Sequence, residues 1–463
     1  MKNTNLPTDA HAALELRFGL AQADITPPLE IYARNWGAAK SDTATGIHQP
    51  LYLSCLVTYH KDGQKGVVLT ADLGWWKDNN DERNLRTAIL ETCGLQEEQL
   101  LLCLSHTHAG PSICSNDKNQ TGGEYIAPYL DFLKHTAISS IQQAEANLMA
   151  GMLTWTYGCC DLATKRDLNH EGQFLIGYDP SQKADQTLLV GQLRNIAGEL
   201  KALICNYACH PTTFAHENTL LSPDYVGAMR QLIHDVLQVP CLFLQGASGD
   251  LAPKKQYVKD PAIVEANGRK LGYAVLSTLE NSSAIDEQWT FDQALQSGAP
   301  LALFEEKKIE PSSVFKQVKI EVTVPYKKLP SVAEITAEFE TCEDRVMKDR
   351  LWRKLNTRKS IANQTHAQIP VWIWQFGDAF LVAQPNEVYA VFQEQIRAHF
   401  PDRFIAVVNI ANGYLGYLPP QDLYQNDMYA VWQTPFEKGS LEILINATIT
   451  NIEKLIADEI RVN

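Results

Sequence analysis

The chain of 463 residues is long enough to bury a large core, either as one enzyme-sized domain or as two or three ordinary ones. With 45% hydrophobic and 20% charged residues it has the composition of a folded globular protein, which excludes wholesale disorder and a fibrous repeat. A net charge of -14 without any run of Lys or Arg excludes a nucleic-acid surface, and no stretch approaches the ~20 apolar residues that a transmembrane helix needs.

The amino-terminal MKNTNLPTDAHAALELRFG lacks the apolar core of a secretion signal, so a cytoplasmic location is expected. The ten cysteines form no CxxC pair. They are expected to be reduced, several serving as small hydrophobes within strands.

Strands are predicted over Leu51 to His60 and Gly66 to Gly74, flanking the turn KDGQK. LLLCLSHTHAGP, Leu100 to Pro111, begins as a buried strand and then offers two imidazoles one residue apart. A helix follows, with Ile126, Tyr129, Leu133, Ala137 and Ile141 on one face. ALICNYACHP and CLFLQGASGD are apolar runs separated by the helical PDYVGAMRQLIHDVL, an order that predicts a parallel crossover. These elements predict an α/β fold with a mixed, largely parallel central sheet and helices on both faces. In such sheets ligands collect beyond the carboxyl ends of strands, where His106, His210 and the GASGD loop lie.

Residues 287–363 are expected to form a peripheral insertion or subdomain of one large catalytic domain spanning 1–463. Within them, Val318, Ile320, Val322 and Val324 alternate as in a half-buried antiparallel strand. Ser331 and Glu334 fit a capping box for a charged helix whose apolar face runs through Ile335, Phe339, Cys342 and Val346. A hairpin turning at Gly377 and Asp378 then leads to Glu387, a further strand ends near Asn412, and the carboxy-terminal SLEILINATITNIEKLI is helical.

If the strand continues through Thr107, His106 and His108 face one pocket, as metal ligands or as a ligand beside a general base. Two hydrogen-bonded histidines at a turn would give the same pattern. His210 leaves its strand just before Pro211, which holds the exit of that strand. Catalytic zinc commonly pairs histidines with a carboxylate, and Glu387 can supply one, although it could equally sit at a helix N-terminus.

The ordered pieces ADITPP, GIH, ADLG, SHTHAGP, YACHPT, LSPDYVG, GASGDLAP, PNE and GYLPPQDLYQNDMYAVWQT resemble the motifs of the neutral/alkaline, non-lysosomal ceramidase family, from about Phe18 onward. The resemblance implies a ceramidase-like catalytic domain and a zinc amidase of lipid, including sphingolipid, metabolism that acts on linear amide C–N bonds. It implies one Zn2+ per chain held by His106, His210, Glu387 and Tyr429, with Tyr424 in reserve for the tyrosine. His108 would donate toward the oxyanion or stand behind the ligands. Asp250 and Asp72 would orient ligands or shuttle a proton, unless they are turn or cap carboxylates. His48, Ser248 and Arg166 are the substrate-side candidates.

Two departures stand out. Ala252 occupies the place of the family's active-site serine, and the immunoglobulin-like domain of larger members is not expected here. The expected partner is a small-molecule or lipid-like substrate, with no nucleic acid and no transmembrane segment. Three other readings remain open: a hydrolase of polar amides or esters, a (β/α)8 amidohydrolase, and a metal-retaining binding protein without turnover.

Overall fold

A computed structural model describes residues 13–282 and 287–460. The main elements are numbered in chain order. They begin with strands β1 (Leu14–Asp24), β2 (Tyr52–Tyr59) and β3 (Lys65–Ala71), helix α1 (Asn79–Cys93), strand β4 (Leu100–Leu104) and helix α2 (Ile126–Ala146). Next come β5 (Met149–Cys159), β6 (Thr187–Asn195), β7 (Leu200–Tyr207), α3 (Tyr225–Leu237), β8 (Cys241–Gln245) and α4 (Pro261–Glu280). The last third supplies β9 (Phe315–Pro325), α5 (Val332–Thr341), α6 (Arg345–Ile361), β10 (His366–Phe376), β11 (Ala379–Ala383), α7 (Val391–His399), β12 (Phe404–Val408) and α8 (Ser440–Ile460).

Eight strands form one sheet in the order β8-β7-β6-β5-β1-β2-β3-β4, and four form a second in the order β9-β10-β11-β12. The α/β class is as expected, but the expectation of a largely parallel sheet is corrected. Only β7/β8 and β3/β4, at the two edges of the large sheet, run parallel. Its five inner pairings are antiparallel.

The layering is corrected too. One face of the large sheet carries the helices: Leu85 and Ile89 of α1 and Leu133 of α2 pack on Leu53, Leu69 and Leu102. Met229 and Ile233 of α3 and Leu271 of α4 pack on Val190, Cys205 and Phe243. The other face packs on the second sheet, with Phe18, Trp155 and Leu189 meeting Trp372, Trp374 and Phe404. Trp374 keeps its indole N–H satisfied by donating to the Glu98 carbonyl at 2.8 Å. Phe392 and Ile396 of α7 and Leu441, Leu444 and Ile445 of α8 cover the far side. The order of layers is therefore helices, large sheet, small sheet, helices.

The connection after β12 brings the two edges of the large sheet to one place. Asn409 N donates to Gln245 O at 2.8 Å at the end of β8, while Asn412 N donates to Leu102 O at 2.9 Å in β4. The Asn412 side chain adds two bonds to β4, one from Leu102 N and one to Leu100 O, both 2.8 Å. The carboxyl ends of two strands at opposite edges thus open side by side.

Residues 287–363 do not share one environment. The hairpin of Glu287–Gln296 and Pro300–Lys308 exposes Trp289, Phe291 and Phe304. By contrast β9 pairs with β10 along its whole length and buries Phe315, Val322 and Val324. The Ser331 and Glu334 capping box is present. The single charged helix read after it is two: the chain breaks after Thr341, and the Asp344 side chain caps α6 by accepting from Met347 N at 2.8 Å.

Candidate metal centre

Strand β4 stops at Leu104, so the two histidines of HTH do not alternate along an extended strand as expected. The chain turns toward β3 instead: Ser105 N and His106 N donate to the carbonyls of Ala71 and Leu73, each at 2.9 Å. His106 has φ of 68°, an uncommon conformation for a residue with a side chain that these bonds hold in place. The two rings still come together, with centroids 4.9 Å apart.

His106, His210 and Glu387 meet at one carboxylate oxygen. Glu387 Oε2 lies 2.9 Å from His210 Nε2 and 3.3 Å from His106 Nε2. The other nitrogen of each ring faces main-chain carbonyls: His210 Nδ1 is 2.6 Å from Ser248 O and 3.1 Å from Leu251 O, and His106 Nδ1 is 3.1 Å from Gly74 O. A carbonyl can only accept, so these contacts place a proton on each Nδ1, and in a neutral His210 ring that leaves Nε2 with a lone pair aimed at the carboxylate.

Burial holds His210 down to about 4, so its ring is neutral at pH 7. Burial pushes the Glu387 carboxyl up, but the imidazoles of His106 and His210 more than offset this and hold it well below the usual carboxylate range. A neutral Nε2 facing an ionised oxygen at 2.9 Å is an acceptor against an acceptor, and a cation between them resolves it. His106, His108 and His210 also each offer a nitrogen within 4.8 Å of the others. Both ring nitrogens of His108 and Nε2 of His106 are buried without a hydrogen bond. The residues present therefore fit a divalent metal, with nitrogen and oxygen donors and carbonyls that fix the ring orientations.

Glu387 lies in the short strand Asn386–Val388, which pairs in parallel with Gly416–Leu418 and sets Glu387 opposite Tyr417. It precedes α7 and is not that helix's capping carboxylate. Tyr414, which the sequence reading did not single out, donates to Glu387 Oε1 at 2.7 Å. Burial, then the neighbouring Glu387 charge, push the Tyr414 phenol well above its usual value, so it remains a donor at neutral pH. Tyr414→Phe is expected to weaken divalent-metal affinity by about 10–100-fold, as loss of an outer partner of a ligand does, measured by titration against a chelator of known affinity.

Tyr429 opens the short helix Tyr429–Gln433 and lines the same cavity as His106 and Glu387, its ring 5.6 Å from that of Tyr417. The reserve choice Tyr424 is elsewhere: its hydroxyl donates to Phe436 O at 3.3 Å, and it does not line the cavity.

The remaining candidates act at a distance. Asp72 is ion-paired with Arg230 and accepts from Tyr52 N at 2.8 Å, so it joins α3 to the sheet rather than meeting the imidazoles. Asp250 is ion-paired with Lys165 and accepts from Ala390 N at 2.8 Å, which tethers the segment that carries Glu387. Arg166 stands behind the cavity wall, donating to Gly249 O at 2.8 Å and sitting 2.9 Å from the Tyr417 hydroxyl.

Ser248 orients His210 through its carbonyl, while its hydroxyl accepts from Gln245 Nε2 at 2.6 Å. His48 does not line the cavity: its loop pairs with Leu220–Leu221, and its ring faces Ser222 at 3.0 Å and stacks edge-on against Phe214. Ala252 is fully buried in a short strand paired with Ala163–Lys165.

The cavity over this centre has a volume of about 440 Å³. His106, His108, Glu387, Tyr414 and Tyr429 form part of its wall, Trp75 and Trp76 another part, and α6 a third.

No family model matches the chain. A curated relative, neutral ceramidase of Pseudomonas aeruginosa, is 28% identical over 257 residues, which cover 52% of this chain and 37% of the relative. A solved ceramidase complexed with C2 superposes with a TM-score of 0.69 at 16% identity, over 94% of this chain and 74% of that one. The crystal structure of neutral ceramidase from Pseudomonas aeruginosa gives 0.68 at 17% identity, over 95% and 75%. The fold of the chain is therefore that of the neutral ceramidases. The matched segment spans little more than a third of the curated relative's length, while that fold extends over nearly the whole chain. Among the described residues no helix is long and apolar enough to cross a membrane.

Proposed function

We propose that this protein is a member of the neutral ceramidase family and a zinc-dependent hydrolase of amide bonds, cleaving an N-acyl compound into a carboxylate and an amine. The observation that carries this is the single carboxylate oxygen of Glu387 set against the Nε2 atoms of both His106 and His210, each ring locked by a carbonyl on its far side. His106, His210 and Glu387 would hold the metal, with Tyr429 as the fourth ligand. Zinc, when bound, supplies a Lewis acid that activates water and polarises the scissile carbonyl.

The chain's own groups do the rest. Tyr414 keeps the second oxygen of Glu387 occupied, which leaves Oε2 for the metal. Burial, then the neighbouring imidazoles, hold His108 well below the ordinary histidine range, so its ring is neutral with one N–H to donate and one lone pair to accept. Among the described residues neither ring nitrogen has a hydrogen-bond partner, and Trp75 packs against the ring at 4.9 Å between centroids, so His108 is free to donate to the developing oxyanion or to carry a proton to the leaving amine. Breaking the C–N bond consumes one water, whose oxygen goes to the acyl carbon and whose protons go to the amine.

Ala252 bears no hydroxyl, and the hydroxyl of Ser248 is engaged with Gln245, so a serine-dependent contact to substrate is missing. This favours a substrate recognised by other groups than those that serve ceramide.

Protein purified without added metal is expected to contain about one zinc per chain. It should cleave members of a panel of N-acyl amines, lose that activity to a chelator and regain it with zinc. Zinc without cleavage of any amide or ester would leave a metal-retaining binding protein. Absence of metal together with failure to take up zinc would reject the centre itself.

A further inference from the structure

The cavity wall opposite the imidazoles carries a cation that the proposed chemistry does not use. Arg353, on α6, lines the cavity with its guanidinium 5.8 Å from the centroid of Trp75, the same ring that meets His106 edge-on at 5.6 Å. One indole ring therefore separates the guanidinium from the candidate metal ligand. A single terminal nitrogen of Arg353 makes its protein contacts, an ion pair with Asp349 at 2.9 Å and a long bond to Asn35 O at 3.5 Å. Among the described residues Nε and Nη1 have no hydrogen-bond or ion-pair partner.

Asn356 follows three residues later on the same helix face and lines the same cavity, and its Nδ2 is buried with no hydrogen-bond partner. Of the other charged side chains that line the cavity, Lys359 is exposed near the end of α6 and Glu387 belongs to the metal centre. Lys77 faces Asp117 and Ser112, each at 3.4 Å, while Asp78 accepts from Asn80 N and Asn116 Nδ2, each at 2.8 Å. Two donors on one helix face, one of them a planar fork held from behind by a carboxylate, match an oxyacid group. An alkyl chain laid against the same pair would strip their water and return no hydrogen bond.

We propose that Arg353 and Asn356 bind a carboxylate on the amine side of the substrate, which makes the substrate class N-acyl amino acids. The inference rests on the reading of the centre as an amide hydrolase but is tested by binding. The reaction is the same hydrolysis, releasing a fatty or short-chain carboxylate and a free amino acid.

The probes are N-(hexylsulfonyl)glycine and its carboxamide, a matched acid and neutral pair whose sulfonamide bond resists hydrolysis, titrated calorimetrically into the zinc-loaded protein. The parent is expected to bind the acid at least tenfold more tightly than the carboxamide. Arg353→Gln should reduce that preference below twofold. Asn356→Asp, which sets a carboxylate in place of the amide donor, should abolish or invert it, and it serves alone should Arg353→Gln not fold.

No preference in the parent overturns the proposal. So does a preference that survives both variants, since the carboxylate would then be held by the metal rather than by α6. The two readings fail separately. An intact acid preference with no amide cleavage discards the hydrolase and keeps the anion site, whereas cleavage of neutral N-acyl amines with no acid preference does the reverse.

Discussion

Glu387→Gln is expected to bind zinc at least ~100-fold more weakly than the parent while its metal-free form melts no lower than the metal-free parent. The sign of the second effect follows from the acceptor-on-acceptor contact. In the metal-free parent an ionised oxygen stands 2.9 Å from the Nε2 lone pair of His210. The glutamine amide fills the same space, removes the charge and can turn its NH2 toward that lone pair, so a repulsive contact becomes a hydrogen bond. The same change takes away the anionic ligand that the metal needs. A chelator competition and a pair of melting curves, with and without zinc, check both halves. Undiminished zinc affinity in this variant would remove Glu387 from the ligand set.

The second large effect concerns folding and not chemistry. Arg230→Met is expected to destabilise the protein by about 3–5 kcal/mol, because it leaves the Asp72 carboxylate buried without its cation. Asp72 is 1% exposed, and its remaining bond comes from Tyr52 N. The pair joins α3 to the end of β3, far along the chain, so its loss loosens the helix that follows the His210 loop. Urea unfolding should show a lower midpoint at unchanged slope. In the folded, zinc-loaded state, Asp72→Asn should leave kcat within a few-fold of the parent. A loss of kcat by orders of magnitude at unchanged metal content would return Asp72 to the catalytic machinery.

Much of the fold was legible because its signals are local. The alternation in Phe315–Pro325, the helical spacing of Ile126, Tyr129 and Leu133, and the Ser331 capping box each reflect neighbours within a few residues, and all recur in the structure. Strand direction was not legible. Continuous apolar runs read as parallel strands because those are usually the ones buried on both faces. Here antiparallel strands such as Thr187–Asn195 are buried on both faces as well, since a second sheet covers the side that solvent would otherwise take. The separate helix α6 was not legible for a related reason: Leu351 and Leu355 bury one face, and the opposite face, with Arg353 and Asn356, has the composition of a solvated surface although it lines a cavity.

The sequence by itself determined the α/β class, the strand-end positions of His106 and His210, the family resemblance and the chemical types available for a metal site. Only the tertiary structure decided that these positions converge. Glu387 lies 177 residues beyond His210, and what brings it there is a segment after β12 that bonds to strands at opposite edges of the large sheet. It also showed that Tyr414 supports the carboxylate, while Asp72, Asp250 and His48 are committed to partners elsewhere. Periodicity encodes which way a side chain faces relative to its own backbone. Which distant group it then meets depends on how whole sheets pack, and no local pattern carries that information.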